Sequence, residues 1–307
     1  MLSFISRRLA IAVPTLLVVI AGSFFLMRAA PGGPFDADAQ LEPEVIENLR
    51  AAYDLDKPVM EQFLLYMARL LRGDFGPSIT YTDYTVTELL AIGLPVSVKL
   101  GLTATAVALL FGCLMGIFAA LYRNRWIDYV TMSIAMTGFA VPAFVVAPVL
   151  TLVFGLYLKL LPISGWNDGA LQNMVLPVIA LALPQIAILS RLTRGSMLEV
   201  MRQNYIRTAR AKGLPEYKVV AGHALKAVSL PLVSYLGPAI AGIMTGSVII
   251  EQIFGLPGMG RYFIQGALSR DYPLVMGTVV VYATAIILLN LLADVIYGYL
   301  DPRVRRE

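Results

Sequence analysis

Six apolar runs, each close to or above the length that crosses a bilayer, restrict this chain more than any other feature. They lie at residues 9–27, 95–121, 129–158, 174–189, 230–250 and 273–299. A helix needs about 20 apolar residues to traverse the roughly 30 Å hydrocarbon layer. Within that layer every backbone N–H and C=O must be satisfied inside the segment, so such runs fold as helices. Hydrophobic residues make up 58% of the chain and charged residues 14%, with a mean hydropathy of +0.74. Soluble domains carry about 25% charged residues. The expected fold is an all-α integral membrane protein with six transmembrane helices.

Organisation follows from what separates the runs. Residues 1–28 read as a short N-terminus and first span, 29–93 as an extracytoplasmic segment, and 94–307 as a core of five spans carrying a cytoplasmic loop at 191–229. A cleaved signal peptide is the rival reading for the first run, because Arg28-Ala29-Ala30 resembles a cleavage region. The run exceeds the h-region length of about 7–15 residues, so a retained span is expected. Between Arg28 and Glu88 there are eleven acids and five bases, a balance suited to the trans side. Residues 42–53 and 58–71 read as amphipathic helices, the second opening with Pro58. The turn Gly73-Asp74-Phe75-Gly76-Pro77-Ser78 follows. A cap lying on the membrane surface is the plainer reading of this segment, and direct contact with cargo the sharper one.

Inside the spans, Gly101, Ala104, Ala108, Gly112 and Gly116 recur at three- or four-residue intervals. Such a stripe lets a second helix approach closely. Pro142 and Pro148 should bend the third span, and Pro177 and Pro184 interrupt the fourth. Lys99 is placed to snorkel towards the headgroups, and Trp166 suits the interface. Glu251 and Asp294 fall near span ends, where carboxylates cost less than at the bilayer centre. Six spans put 15 of the 24 basic residues on one side and eight on the other, with Lys99 inside a span. Because basic loops stay in the cytoplasm, both termini are expected there.

The longest basic loop has internal order. Residues 191–226 hold Arg191, Arg194, Arg202, Arg207, Arg210, Lys212, Lys218 and Lys226 against Glu199 and Glu216. Residues 197–212 read as one helix, Gly213 stops it, and Pro215 opens the next at 216–230. A plain connector needs only a few polar residues. This one reads as a folded elbow that offers a shaped surface to something soluble, with its apolar face free to bury in a partner's groove.

No GxxxxGK[ST], HExxH or GxSxG motif is present, and the single histidine, His223, sits on the basic elbow with no ligand partner nearby in sequence. Cys113, the single cysteine, lies in an apolar run and reads as packing. No charged relay lies near a span midpoint, as an ion-coupled carrier would need. Energy is therefore expected from another subunit, acting through the elbow.

The residues Tyr205-Ile206-Arg207-Thr208-Ala209-Arg210-Ala211-Lys212-Gly213-Leu214-Pro215 resemble the cytoplasmic EAA loop of bacterial ABC-importer permeases, in the form typical of the oligopeptide, dipeptide and nickel branch. Arg207-Thr208 stands where the general pattern has Glu-Ala. His223-Ala224-Leu225-Lys226 replaces Ile-x-Leu-Pro, with the proline five residues later at Pro231. The turn at 73–78, Arg194-Gly195-Ser196-Met197, residues 251–260 and Asp271-Tyr272 extend the resemblance along the chain, to the oligopeptide permease B-subunit family. That resemblance implies a type I importer fold and a non-catalytic membrane subunit. It also implies a homologous second permease, two ATP-binding subunits and an extracytoplasmic peptide-binding protein. Residues 205–215 would couple to the ATPases, ATP would be bound by those partners, and this chain would carry no cofactor or metal. Related cargoes are dipeptides, glutathione or chelated nickel; a scaffold that transports nothing is the alternative of a different class.

Overall fold

Backbone geometry forces the chain into long helices, and small residues decide which of them touch. The computed structural model describes residues 2–35 and 43–300. The basic tail with Arg303, Arg305 and Arg306, counted above for orientation, lies outside the described residues, as does the start of the 42–53 helix. In chain order the helices are α1 (Leu2–Ala29), α2 (Pro43–Ala52), α3 (Val59–Leu70), α4 (Val86–Leu121), α5 (Trp126–Ala140), α6 (Ala143–Leu150), α7 (Leu171–Val200), α8 (Asn204–Ala211), α9 (Glu216–Val219), α10 (Leu225–Ile253), α11 (Met259–Leu268) and α12 (Tyr272–Leu300). Five helical stretches are long and apolar enough to cross a membrane. The pair α5 and α6, the latter extended by a π-helical stretch at Thr151–Tyr157, passes the same test as one span bent by 102°.

That bend has a local cause. Pro142 cannot donate a backbone hydrogen bond and pushes the preceding residue out of helical geometry. Val141 is accordingly extended, with φ −104° and ψ 122°. The two halves still carry the chain from one end of the bundle to the other. Asp128 at the start of α5 meets Arg194 late in α7, while the loop after α6 meets the end of α10 through Gly165 N–H donating to the Phe254 carbonyl at 2.8 Å.

Helix α4 begins nine residues before the expected span, at Val86 rather than Pro95. Thr85 and Glu88 form a capping box, the Thr85 hydroxyl accepting from Glu88 N–H and the Glu88 carboxylate accepting from Thr85 N–H. These bonds satisfy two of the orphan donors at a helix start, and Pro95 becomes an interior residue.

In lipid no hydrophobic force drives helices together, so close approach of backbones does. The stripe expected on α4 is buried throughout; Gly112 and Gly116 face α7, and Gly101 faces Ile243 and Met244 of α10. A Cβ on Gly112 would lie 2.7 Å from Leu189 Cβ, and one on Gly116 would lie 2.5 Å from both the Ser190 carbonyl oxygen and Thr193 Cβ. Only glycine permits this distance. Helix α10 packs on α4, α7 and α12, which closes the bundle around Leu100, Leu176, Leu181, Ile243 and Ile250.

Helix α1 lies against α12, burying Ile20 and Phe24 among Met276 and Val280. Arg8 pairs with Asp294 at 3.2 Å, so the start of α1 and the end of α12 share one face of the bundle. At the opposite face α2 and α3 form a layer braced by Asp54, which bonds Lys57 at 2.8 Å and Arg69 at 2.6 Å. Lys99 donates to the Gly169 carbonyl at 3.0 Å and lies over the Trp166 ring.

Glu251 lies at the end of α10, where the sequence puts it, but it is fully buried. The turn after α10 folds back over it, so its Oε2 accepts from Gly260 N–H at 2.7 Å while the Ser97 hydroxyl accepts from Met259 N–H at 2.9 Å. Two spans thus cap the first turn of α11, where a carboxylate is favoured by the helix dipole.

Candidate functional site

The elbow is built by one glycine and one salt bridge. Helix α7 runs on to Val200, eleven residues past the expected end of the fourth span. The helix expected over 197–212 is split, because residues 201–203 turn and Gln203 is extended at φ −69° and ψ 150°. After α8 the chain reverses at Gly213, whose φ is +75°. Gly213 N–H donates to the Arg210 carbonyl at 2.9 Å and Leu214 N–H to the Ala209 carbonyl at 3.4 Å. These are the paired bonds of a Schellman cap, which needs a left-handed residue at the turn. Pro215 then caps α9, and α9 continues through a π-helical turn at Val220–Ala224 into α10. The elbow's second arm is therefore the foot of the fifth span, not a separate helix.

Across the corner Arg210 grips Glu216 with two bonds, Nη2 to Oε1 at 2.6 Å and Nε to Oε2 at 3.2 Å. Both side chains are about half exposed, so the pair adds little stability but fixes the angle. The Glu216 carboxylate keeps the Arg210 guanidinium above its ordinary pKa.

Packing corrects one expectation. The apolar face of α8 is not offered to a partner: Ile206 and Ala209 are buried in this chain's own core with Met197, Val219, Val220, Ala224 and Val228. Leu214 is half-buried on the same cluster, and the other eight residues of 205–215 are exposed. The presented surface is therefore basic and aromatic, with Arg207, Arg210, Lys212 and Lys218 beside Tyr205 and Tyr217, which are 46% and 69% exposed. His223 is exposed on the π-helical turn, and Cys113 is half-buried in the core beneath.

Arg194 is the exception among the elbow's bases. It forms a two-pronged pair with the buried Asp128, both bonds at 2.7 Å, and Asn124 N–H adds a third at 3.0 Å. This ties the end of α7, from which the elbow springs, to the start of α5. Asp128 attracted no notice in the sequence, and its partner lies 66 residues away.

A second surface differs in chemistry from the rest of the span region. On α4 the exposed positions from Leu102 to Leu121 are large and apolar apart from Ala106, and α1 exposes Leu17, Val18, Phe25 and Leu26. On α10 the exposed positions Ser234, Pro238, Gly242, Thr245, Ile249 and Gln252 fall on one face and are mostly small or polar. Near the elbow a cavity of about 450 Å³ lies along α7, lined by Ile188, Arg191, Leu192, Gly195, Ser196 and Glu199, with Tyr235 of α10 at its side.

Two family models together match most of the chain. Residues 112–306 match the binding-protein-dependent transport system inner membrane component, and residues 1–83 match the N-terminal part of such a component. The chain belongs to this family of ABC-importer permeases. Full-length relatives agree. The permease is 51% identical to the oligopeptide transport system permease protein OppB of Salmonella typhimurium, over 99% of this chain and all of that protein. Against OppB of Haemophilus influenzae the identity is 49%, with the same coverage. The dipeptide transport system permease protein DppB of Bacillus subtilis is 42% identical over 99% of this chain and 98% of its own length. Among solved structures the methionine ABC transporter MetNI in an inward-facing conformation aligns with a TM-score of 0.58 at 16% identity, covering 69% of this permease and 96% of that chain. An amino acid ABC transporter aligns at 0.56 and 17% identity, covering 69% and 94%. Both are similar in fold, and the permease is a multi-pass inner-membrane component with that fold.

Proposed function

We propose that this permease is the B-type membrane subunit of an ATP-driven oligopeptide importer. The observation that carries the reading is the match to OppB proteins at about half identity from end to end. In this scheme a homologous permease completes the translocation path, an extracytoplasmic binding protein delivers peptide, and two further subunits bind ATP. The termini and the elbow face the cytoplasm, and residues 205–215 receive the motion of the ATPases. A rigid elbow supports that role. Its apolar face is anchored on α7 and α10, and its corner is clamped by Gly213 and the Arg210–Glu216 pair, so displacement of the tip moves two spans together. The small, polar face of α10 is the side turned to the path. Peptide backbone needs donors and acceptors with little side-chain discrimination, which hydroxyls, amides and glycine supply.

Reconstitution with its neighbouring subunits in proteoliposomes tests this reading. Oligopeptides delivered by the binding protein should raise ATP hydrolysis several-fold and accumulate inside. The resemblance to DppB gives a second reading, dipeptide import. Stimulation by dipeptides but not by longer peptides would replace the first reading with the second, and ATPase activity indifferent to either peptide would remove both.

A further inference from the structure

Arg28, at the end of α1 beside the α2–α3 layer, is half-buried and has no carboxylate partner among the described residues. Its guanidinium lies 5.2 Å from the Phe24 ring centroid and 4.8 Å from that of Tyr272. Two neutral polar atoms on α3 are buried close by without a partner, Gln62 Oε1 and the Tyr66 hydroxyl. All three residues border one cavity of about 70 Å³ between α1, α3 and the start of α12. A water needs about 10–15 Å³ of such space, so the cavity accepts several waters or one tetrahedral oxyanion. Among its lining residues Arg69 is paired with Asp54, which leaves Arg28 as the unpaired charge. Orphaned groups of this kind are costly unless something fills their hydrogen bonds.

Along the same three helices the cavity is continued by a groove of about 510 Å³. Its walls are apolar apart from Thr284: residues 13–20 of α1, 67–71 at the end of α3 and 280–288 of α12, with Phe75 bordering both spaces. From Arg28 down α1 to Val13 is 15 residues, or about 22 Å at 1.5 Å per residue. That is the depth of one leaflet with its headgroups, half of about 40–45 Å.

We propose that this corner is a binding site for one anionic phospholipid. Its phosphodiester sits on Arg28 and the Tyr66 hydroxyl, a donor of its headgroup faces Gln62 Oε1, and an acyl chain fills the groove. A bare phosphate would leave the groove empty. An apolar helix from a partner would leave Arg28 unpaired.

The test uses the chain with whatever subunits it copurifies with, delipidated in detergent and titrated with phosphatidylglycerol, phosphatidylcholine or inorganic phosphate. Thermal unfolding and native mass spectrometry are read together. One phosphatidylglycerol per chain should survive in the spectrum and raise the unfolding temperature. Arg28→Gln should need roughly tenfold more lipid for the same rise, as loss of a charged hydrogen bond implies. Ala285→Trp, which fills the groove and leaves Arg28 in place, should abolish retention and stands in if Arg28→Gln does not assemble. Equal stabilisation by phosphatidylcholine, a response to phosphate alone, an unchanged titration in Arg28→Gln and Ala285→Trp, or a partner helix in the groove with no lipid retained would each overturn the proposal.

Discussion

The Ser78 hydroxyl donates to Asp271 Oδ2 at 2.5 Å, although the two residues are 193 positions apart. The same oxygen accepts from Ile79 and Thr80 N–H at 2.8 and 2.9 Å, and Oδ1 caps α12 through Leu274 N–H at 3.0 Å. Asp271 is fully buried. One carboxylate thus seats the turn at 73–85 on the last span. Removing it leaves several buried donors unpaired. Asp271→Ala should destabilise by about 2–4 kcal/mol and should speed tryptic cleavage at Arg72 relative to cleavage in the elbow; equal rates at both sites would show that the turn is held by something else.

Gly116→Ala should push α4 away from α7, because its Cβ would meet a carbonyl oxygen that cannot swing aside. Overpacking of this kind costs about 1–3 kcal/mol. Gly22→Ala, where a Cβ meets nothing within 4 Å, should be neutral or slightly stabilising. Unfolding temperatures of the two variants in one detergent make the comparison.

Arg194→Ala strands the buried Asp128 and should cost about 3–5 kcal/mol. Arg194→Met combined with Asp128→Asn removes both charges and should recover most of that loss. A double-mutant cycle with no coupling between the two positions would contradict the pairing.

Gly213→Val places a β-branched residue at φ +75°, where L side chains are strained. The elbow corner should open, so that more ATP is spent for each peptide imported. Gly222→Ala, at a position with open space and no left-handed φ, should leave the ratio unchanged. Uptake and hydrolysis measured on the same proteoliposomes decide between these outcomes.

Asp54 supplies a pH test. The hydrogen bond from Lys57, then the charge of Arg69, holds its carboxyl below the ordinary carboxylate value. A depressed pKa contributes stability that is present above the unfolded value of about 3.9 and is lost as pH falls through the folded value. Slower hydrogen exchange in α2 and α3 of the wild type than of Asp54→Asn should therefore be seen at neutral pH, begin to shrink below about pH 4 and vanish only once pH has fallen through the lower folded value.

Sequence alone determined the class, the order and approximate course of the spans, the bend at Pro142, the reversal at Gly213 and the close-packing stripe on α4. These are local properties: apolar length, a missing N–H, a missing Cβ. The earlier start of α4 was also written locally, in Thr85-x-x-Glu88, but the proline at 95 drew the boundary away from it. Tertiary structure decided what covers each face. Helical periodicity marks Ile206 and Ala209 as one stripe, yet only the fold shows that Met197 and Val219 already occupy it. The Arg194–Asp128 and Ser78–Asp271 pairs and the burial of Glu251 likewise join residues whose spacing in the chain carries no signal. Charge partners are selected by where helices cross, and crossing is set by packing over the whole bundle.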